Sequence, residues 1–379
     1  MRKIQMVDLQ NQYQEIKEEI NQSIQDILTE CTFINGPSVK QFQSNLEKYL
    51  DVKHVIPCGN GTDALQVALM ALDLKPGDEV ITTTFTFIAT AEVIALLQLT
   101  PVLVDVDADT FNIDIEAVKK AITSKTKAII PVHLFGQCAH MEDLLKIADS
   151  HHLYVIEDAC QAIGADYCFS NGTRKKAGTI GTIGCTSFFP SKNLGCYGDG
   201  GAIFTQSDNL AKKMRGIVNH GMFVRYYHDL VGVNSRLDSL QAAILDIKLK
   251  HLDAYIQKRN HAAAFYNQAF ANHLNLKTPV IADYTNHVFH QYTLVLQGVD
   301  RDKVITYMQD KGIPVMIYYP VPLHLQKAYQ DPRYVSGVFP VSESLASQVI
   351  SLPMHTELDN EQLHYITSHL LKAVEIAKQ

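Results

Sequence analysis

From about residue 52 to 205, short apolar runs alternate with segments whose apolar residues recur every three or four positions, and this alternation leaves the chain very few folds. The strand-like runs are 79–83, 102–105, 127–132, 153–156 and 201–205. Among them lie helical patterns at 62–72, 89–98, 115–122 and 141–151; in the first, Leu65, Leu69 and Leu72 share a face. Continuously apolar strands are buried on both sides, unlike the alternating strands of a half-wet sheet. Joined by amphipathic helices, they predict an α/β fold with a mostly parallel sheet between helical layers.

After residue 205 the pattern turns helical, with two long helices expected at 237–252 and 254–270. Segments 291–296, 302–311 and 314–317 then suggest a smaller α+β unit. A division near residue 255 gives a large domain, 1–255, and a small C-terminal domain, 256–379, which suits a chain of 379 residues. The net charge of -7 argues against a general nucleic-acid binder. Phosphate ligands remain open, because backbone amides at helix starts hold them without basic side chains. Seven cysteines, an odd number with no CxxC pair, favour a reducing cytoplasm over a disulfide frame or zinc site. The 16 histidines include no HExxH arrangement, so no metal is expected, and no GxSxG elbow marks a serine hydrolase. Residues 1–8 lack the apolar core of a signal peptide, and no apolar run approaches the ~20 residues that span a bilayer.

The densest chemical signal is Cys185-Thr186-Ser187-Phe188-Phe189-Pro190-Ser191-Lys192, followed by a glycine-rich turn through Gly198-Asp199-Gly200-Gly201. An apolar strand delivers one lysine to a tight turn. Inside a domain that amine loses hydration unless it is neutralised, paired or covalently used. A desolvated, neutral lysine is the nucleophile of Schiff-base chemistry. A surface lysine on a loop accounts for the stretch equally well by itself.

Other segments fit a phosphorylated, flat ligand. Gly59-Asn60-Gly61-Thr62-Asp63-Ala64-Leu65 joins a strand to a helix, where free amides and the dipole favour a phosphate. An ordinary N-cap by Thr62 or Asp63 explains the same residues. Tyr154-Val155-Ile156-Glu157-Asp158 places two acids at a strand end, and ligands of open α/β sheets gather at carboxyl ends. Asp158 there can keep a pyridinium nitrogen protonated or can simply cap the next segment. Glu157 is expected on the opposite face. Gln161 suits a ring hydroxyl or a loop lining. Thr84-Phe85-Thr86-Phe87 offers an aromatic to stack on a ring, or to pack in the core.

Taken together and in order, these segments resemble the nucleotide-sugar aminotransferase family, often called the DegT family. The likeness includes Val7-Asp8-Leu9, Ile34-Asn35-Gly36-Pro37, the 59–65 run, Phe85 to Thr90, Glu157 to Gln161 and Ser187 to Lys192. It continues through Gly232-Val233-Asn234-Ser235-Arg236-Leu237-Asp238 and Leu240-Gln241-Ala242-Ala243. It is nearest in look to the bacterial branch that aminates 3-keto nucleotide sugars for surface polysaccharides such as O-antigen. The resemblance implies an aspartate-aminotransferase-like fold with a seven-stranded, mostly parallel sheet, and a homodimer with shared active sites. It further implies that Lys192 forms the Schiff base with pyridoxal 5'-phosphate. Asp158 would pair with the ring nitrogen, Gln161 lie by the ring hydroxyl, and Phe87 stack on the ring. Gly61, Thr62 and Ser187 would hold the phosphate, with Asn234 reaching it from the other subunit. Arg236, Tyr318, Tyr319 and His324 would face the substrate, although many members carry histidine where Tyr318 stands. The expected reaction moves an amino group from L-glutamate to a UDP- or dTDP-linked keto-sugar. A sugar dehydratase on the same fold is the nearest enzyme alternative, but its known versions replace the lysine with histidine. A regulatory relative without catalysis is the other alternative. Residues 168–176 exceed the usual family length and read as a surface hairpin.

Overall fold

The structure, a computed structural model, describes residues 2–378. Seven strands form the main sheet: β1 (His54–Cys58), β2 (Glu79–Thr83), β3 (Thr100–Val104), β4 (Thr126–Ile130), β5 (Tyr154–Asp158), β6 (Ile183–Ser187) and β7 (Gly201–Thr205). Their order is β1-β7-β6-β5-β4-β2-β3. Only β7 runs against its neighbours, pairing antiparallel with both β1 and β6. Consecutive residues point to opposite layers, as a period of two requires. Val55, Ile81, Ile129 and Val155 face one core, which takes Phe42 and Leu46 from α2 (Pro37–Leu50) and Leu144 from α6 (Met141–His151). Ile56, Val80, Ile130 and Ile156 face the other, covered by α3 (Gly61–Ala71), α4 (Ala89–Leu96) and α7 (Asp208–Ile217). Each such side chain stabilises the sheet by about 2 kcal/mol through burial.

The long helices fall at α8 (Ser239–Leu249) and α9 (Leu252–Phe270). The expected division at residue 255 lies inside α9, which serves both domains. Leu252 and Ile256 pack in the large domain, whereas Ala262, Tyr266 and Phe270 pack in the small one. The small domain is a three-stranded antiparallel sheet of β8 (Leu276–Lys277), β9 (Tyr292–Leu296) and β10 (Val349–Leu352). Helices α10 (Arg301–Asp310), α11 (Pro340–Gln348) and α12 (Asn360–Ile376) accompany it. Residues 2–8 depart from the expected division, because Ile4 is buried in the small domain's core and Met354 N donates to Met6 O at 3.2 Å. A strand at 314–317 does not form. Only Met316 bridges to Ser351, since the chain then leaves the sheet to bring Tyr318 and Tyr319 to the cleft. The 168–176 hairpin is present, Asp166–Cys168 pairing with Arg174–Lys176. No helix of the described residues is long and apolar enough to cross a membrane.

Candidate active site

The carboxyl ends of β1, β2, β4, β5 and β6 converge where the small domain leans over the sheet, and a cleft of about 630 Å³ lies between them. Lys192 is in its wall, five residues beyond the end of β6. Its turn is wound by Lys192 N donating to Phe189 O at 2.8 Å and Cys196 N to Phe188 O at 2.8 Å. Asn193 Nδ2 ties the turn to Val288 O at 2.9 Å. Burial of the Lys192 amine pulls its pKa below the ordinary lysine value, and nearby Cys160 and Asp158 oppose that pull. The amine is thereby shifted toward the free base that carbonyl chemistry needs.

Asp158 ends β5 almost fully buried, with 5% of its surface exposed. Thr90 Oγ1 donates to its Oδ2 at 2.8 Å and Cys160 N to its Oδ1 at 3.2 Å. Two donors fix the carboxylate while leaving lone pairs for a cation in the cleft. Glu157 points the other way, as alternation requires. It accepts from the amides of Gly178, Ile180 and Gly181 and meets His133 Nε2 at 2.8 Å. Because His133 Nδ1 accepts from Ala139 N, its proton lies on Nε2, facing Glu157. One acid of the pair thus anchors the loop after β5, and the other is presented to the cleft.

In another part of the cleft wall, the helix cap is neither Thr62 nor Asp63. Asn60 caps α3, its side chain accepting from Asp63 N at 2.8 Å. That leaves the Gly61 and Thr62 amides at the helix start, where an anion is favoured. Asp63 instead accepts from Ser235 Oγ at 2.6 Å, and Gly59 N donates to the same hydroxyl at 2.9 Å. Gly61 is required by proximity: a Cβ there would lie 2.7 Å from Ser187 Cβ. Ser187 Oγ accepts from Phe189 N at 3.2 Å, so its own proton is available to a ligand.

The two phenylalanines after β2 divide. Phe85 is fully buried, whereas Phe87 is 54% exposed and lines the cleft, its ring 6.3 Å from that of Tyr319. Gln161 takes Phe135 N on its oxygen at 2.7 Å and gives its Nε2 to the Tyr319 hydroxyl at 3.0 Å. Tyr318 lines the same wall. His290, absent from the sequence-derived set, also lines it; burial first, then the Lys192 and Arg259 charges, push its pKa well below the ordinary value. Its one sequence signal is its place just before the buried run 292–296. Arg259 Nη1 holds the backbone there, donating to Phe289 O at 3.0 Å, His290 O at 3.3 Å and Met354 O at 3.0 Å.

Three sequence-derived residues lie outside this cleft. Asn234 is exposed, its backbone bridging to Asn219. Arg236 is half-buried, with Nη1 3.5 Å from Asn219 Oδ1. His324 is buried, its Nδ1 2.8 Å from Thr84 Oγ1 and its Nε2 3.1 Å from Glu343 Oε1. Both of its ring nitrogens are occupied, so it braces the loop to α11 rather than the cleft. Among the described residues no cluster of His, Cys, Asp or Glu could hold a metal ion.

The cleft is lined by helix-start amides and a hydroxyl, a buried carboxylate, an exposed aromatic face and a desolvated lysine. A phosphorylated pyridine aldehyde needs all four, and Gly61 leaves the room that its phosphate requires. Known proteins are similar to this chain over nearly its whole length. A 45% identical protein from Pseudomonas aeruginosa, matched over 97% of this chain and 99% of its own length, is named UDP-2-acetamido-2-deoxy-3-oxo-D-glucuronate aminotransferase. A 47% identical protein of Geobacillus stearothermophilus, matched over 97% of both chains, is named a pleiotropic regulatory protein. The crystal structure of NtdA from Bacillus subtilis with bound cofactor PMP superposes with a TM-score of 0.87 at 33% identity, covering 95% of this chain and 82% of that one. Residues 14–371 match the model of one family, and the chain belongs to it: the DegT/DnrJ/EryC1/StrS aminotransferases.

Proposed function

We propose that this pyridoxal-phosphate-dependent aminotransferase aminates a nucleotide-linked 3-keto-hexose, with L-glutamate as donor, in amino-sugar synthesis for a surface polysaccharide. The observation that carries the reading is the desolvated Lys192 amine in one cleft with Asp158. The cofactor, when bound, supplies the electron sink that lets a donor's α-proton leave. Lys192 anchors it and then serves as base for that proton. Asp158 keeps the ring nitrogen protonated, Gln161 orients the ring hydroxyl, and Phe87 covers one face. Gly61, Thr62 and Ser187 hold the phosphate.

The active sites are shared in a homodimer. Asn234 is exposed beside an apolar hairpin in which Tyr226, Tyr227 and the following Val231 are all exposed, which suits a surface that packs on a second copy. Asn234 then reaches the partner's phosphate site, and Arg236 reads a carboxylate by a two-pronged, charge-assisted pair. That carboxylate is glutamate's in one half of the reaction and a uronate's in the other. Tyr318 and Tyr319 flank the sugar. Seven free thiols suit work in the cytoplasm.

The favoured acceptor is a UDP-linked 3-keto-2-acetamido sugar acid, the substrate for which the Pseudomonas relative is named; a dTDP-linked 3-keto-6-deoxyhexose is the runner-up. Lys192 speaks against a dehydratase, and the intact set of Lys192, Asp158 and Ser187 against a purely regulatory role. A panel of 3-keto and 4-keto nucleotide sugars, incubated with glutamate and read by mass, tests the reading. Amination of a 3-keto UDP sugar acid is expected, with none by Lys192→Ala protein, which also lacks the visible cofactor band. Preference for a 4-keto sugar would overturn the positional assignment. Equal slowing of acidic and neutral sugars by Arg236→Lys would show that the arginine serves only the donor.

A further inference from the structure

Lys248 lies on α8 beneath the turn that carries Lys192, with only 1% of its surface exposed. Its Nζ donates to Gly195 O at 2.8 Å and sits 4.5 Å from the centre of the Tyr197 ring. No carboxylate pairs with it among the described residues; its ionisable neighbour is the Cys196 thiol. Burial lowers its pKa to about 8. An ammonium buried without a counter-charge is costly, and an apolar side chain would fill a helix-packed site more cheaply. That cost is offset by the face of the Tyr197 ring and by the carbonyl that the ammonium grips.

What it grips is the closing residue of the lysine turn. A Cβ on Gly195 would lie 2.4 Å from Pro190 O and 2.8 Å from Phe189 O, so residues 189–195 fold back tightly around Lys192. The other tethers at this turn are neutral: Gln241 Oε1, also on α8, accepts from Tyr197 N at 2.8 Å, and Asn193 donates to Val288 O. The Lys248 bond is charge-assisted, the stronger kind. We propose that Lys248 is a positioning residue for the lysine chemistry, gripping the Gly195 carbonyl so that the turn stays wound and the Lys192 amine stays desolvated.

The inference rests on Lys192 being the cofactor lysine, and its test is independent of turnover. The full-length protein, stripped of cofactor, is acetylated with trace acetic anhydride across a pH series. Labelling at Lys192 is read by mass spectrometry against its own plateau, so that accessibility cancels. In Lys248→Met the Lys192 midpoint is expected to rise by about one pH unit, roughly a tenfold smaller free-amine fraction at neutral pH. Exposed Lys175 is the internal control. Lys248→Gln, one atom shorter and still polar, is expected to move the midpoint the same way by less. A Lys192 midpoint unmoved in either folded variant, even with a lowered Tm, overturns the proposal. Failure of both variants to fold also counts against it, because Lys248 would then serve the core rather than the turn. A Lys192 with a depressed midpoint that proves dispensable for turnover would sink its cofactor role and leave this measurement standing.

Discussion

Two adjacent acids with opposite duties show how much a single residue's direction decides. Glu157 spends its oxygens on three amides and His133, whereas Asp158 takes two donors and faces the cleft. Their alternation was legible in the sequence, because a strand's period of two allows nothing else. Asp158→Asn is expected to leave the fold and cofactor binding in place. An amide cannot hold the ring nitrogen protonated by charge, so the donor half-reaction is expected to slow by about two orders of magnitude. Single-turnover mixing with glutamate measures this, and an unchanged rate would hand the role to another residue. His290 was not legible. Nothing local in its neighbours announces a cleft wall, and only the packing of the small domain over the sheet places it there.

At the scale of elements, the loop into α3 was recognisable as a helix start, but its cap was not. Thr62 and Asp63 have the composition of caps, yet Asn60 does the capping and Asp63 is tied to Ser235, far along the chain. A bond to a residue so distant in sequence leaves no trace in local composition. The run 314–317 failed as a strand for a similar reason, since Tyr318 and Tyr319 are drawn to the cleft instead. Gly61 carries the sharpest prediction here. The Cβ of Gly61→Ala would meet Ser187 Cβ at 2.7 Å and Cys160 Sγ at 3.0 Å. Relief requires α3 and β6 to separate, at a stability cost of about 1–3 kcal/mol. Cofactor affinity, followed by absorbance titration, is expected to fall at least tenfold. Wild-type affinity would remove the phosphate from this part of the cleft.

For the whole molecule, acid stability and assembly follow from buried groups and exposed ones. His287 and His355 are pushed by burial down to about 3 and about 4. Each accepts a backbone amide on Nδ1, from Phe289 and Glu357, so protonation would break that bond. Their folded pKa values lie below the unfolded value, so the unfolded chain binds more protons between pH 6.5 and about 4. Stability therefore falls as the pH drops through that window, by about 2 kcal/mol per histidine at pH 5. Glu357, raised by burial, works the other way. Urea midpoints at pH 7 and pH 5 measure the net, and a flat profile would contradict the neutral, buried histidines. Shared sites predict complementation: Lys192→Ala mixed with Asn234→Ala is expected to recover part of the activity that each lacks alone. A strictly monomeric active enzyme would refute it. The mostly parallel sheet and the helices expected at 62–72, 89–98, 115–122 and 141–151 were readable because local periodicity encodes them, whereas the helices Leu9–Glu30, Pro37–Leu50 and Asp208–Ile217 were not expected. The seat of residues 2–8 was not readable, because Ile4 joins a core that also takes Leu363 and Leu370 from the far end of the chain. That seat governs the order of events on the ribosome. The two cores on the sheet are drawn from residues 39–288 and can close as that stretch emerges, domain by domain. The small domain cannot close until α12 is made, and its first strip of chain, residues 2–8, must wait unsheltered through the synthesis of everything between.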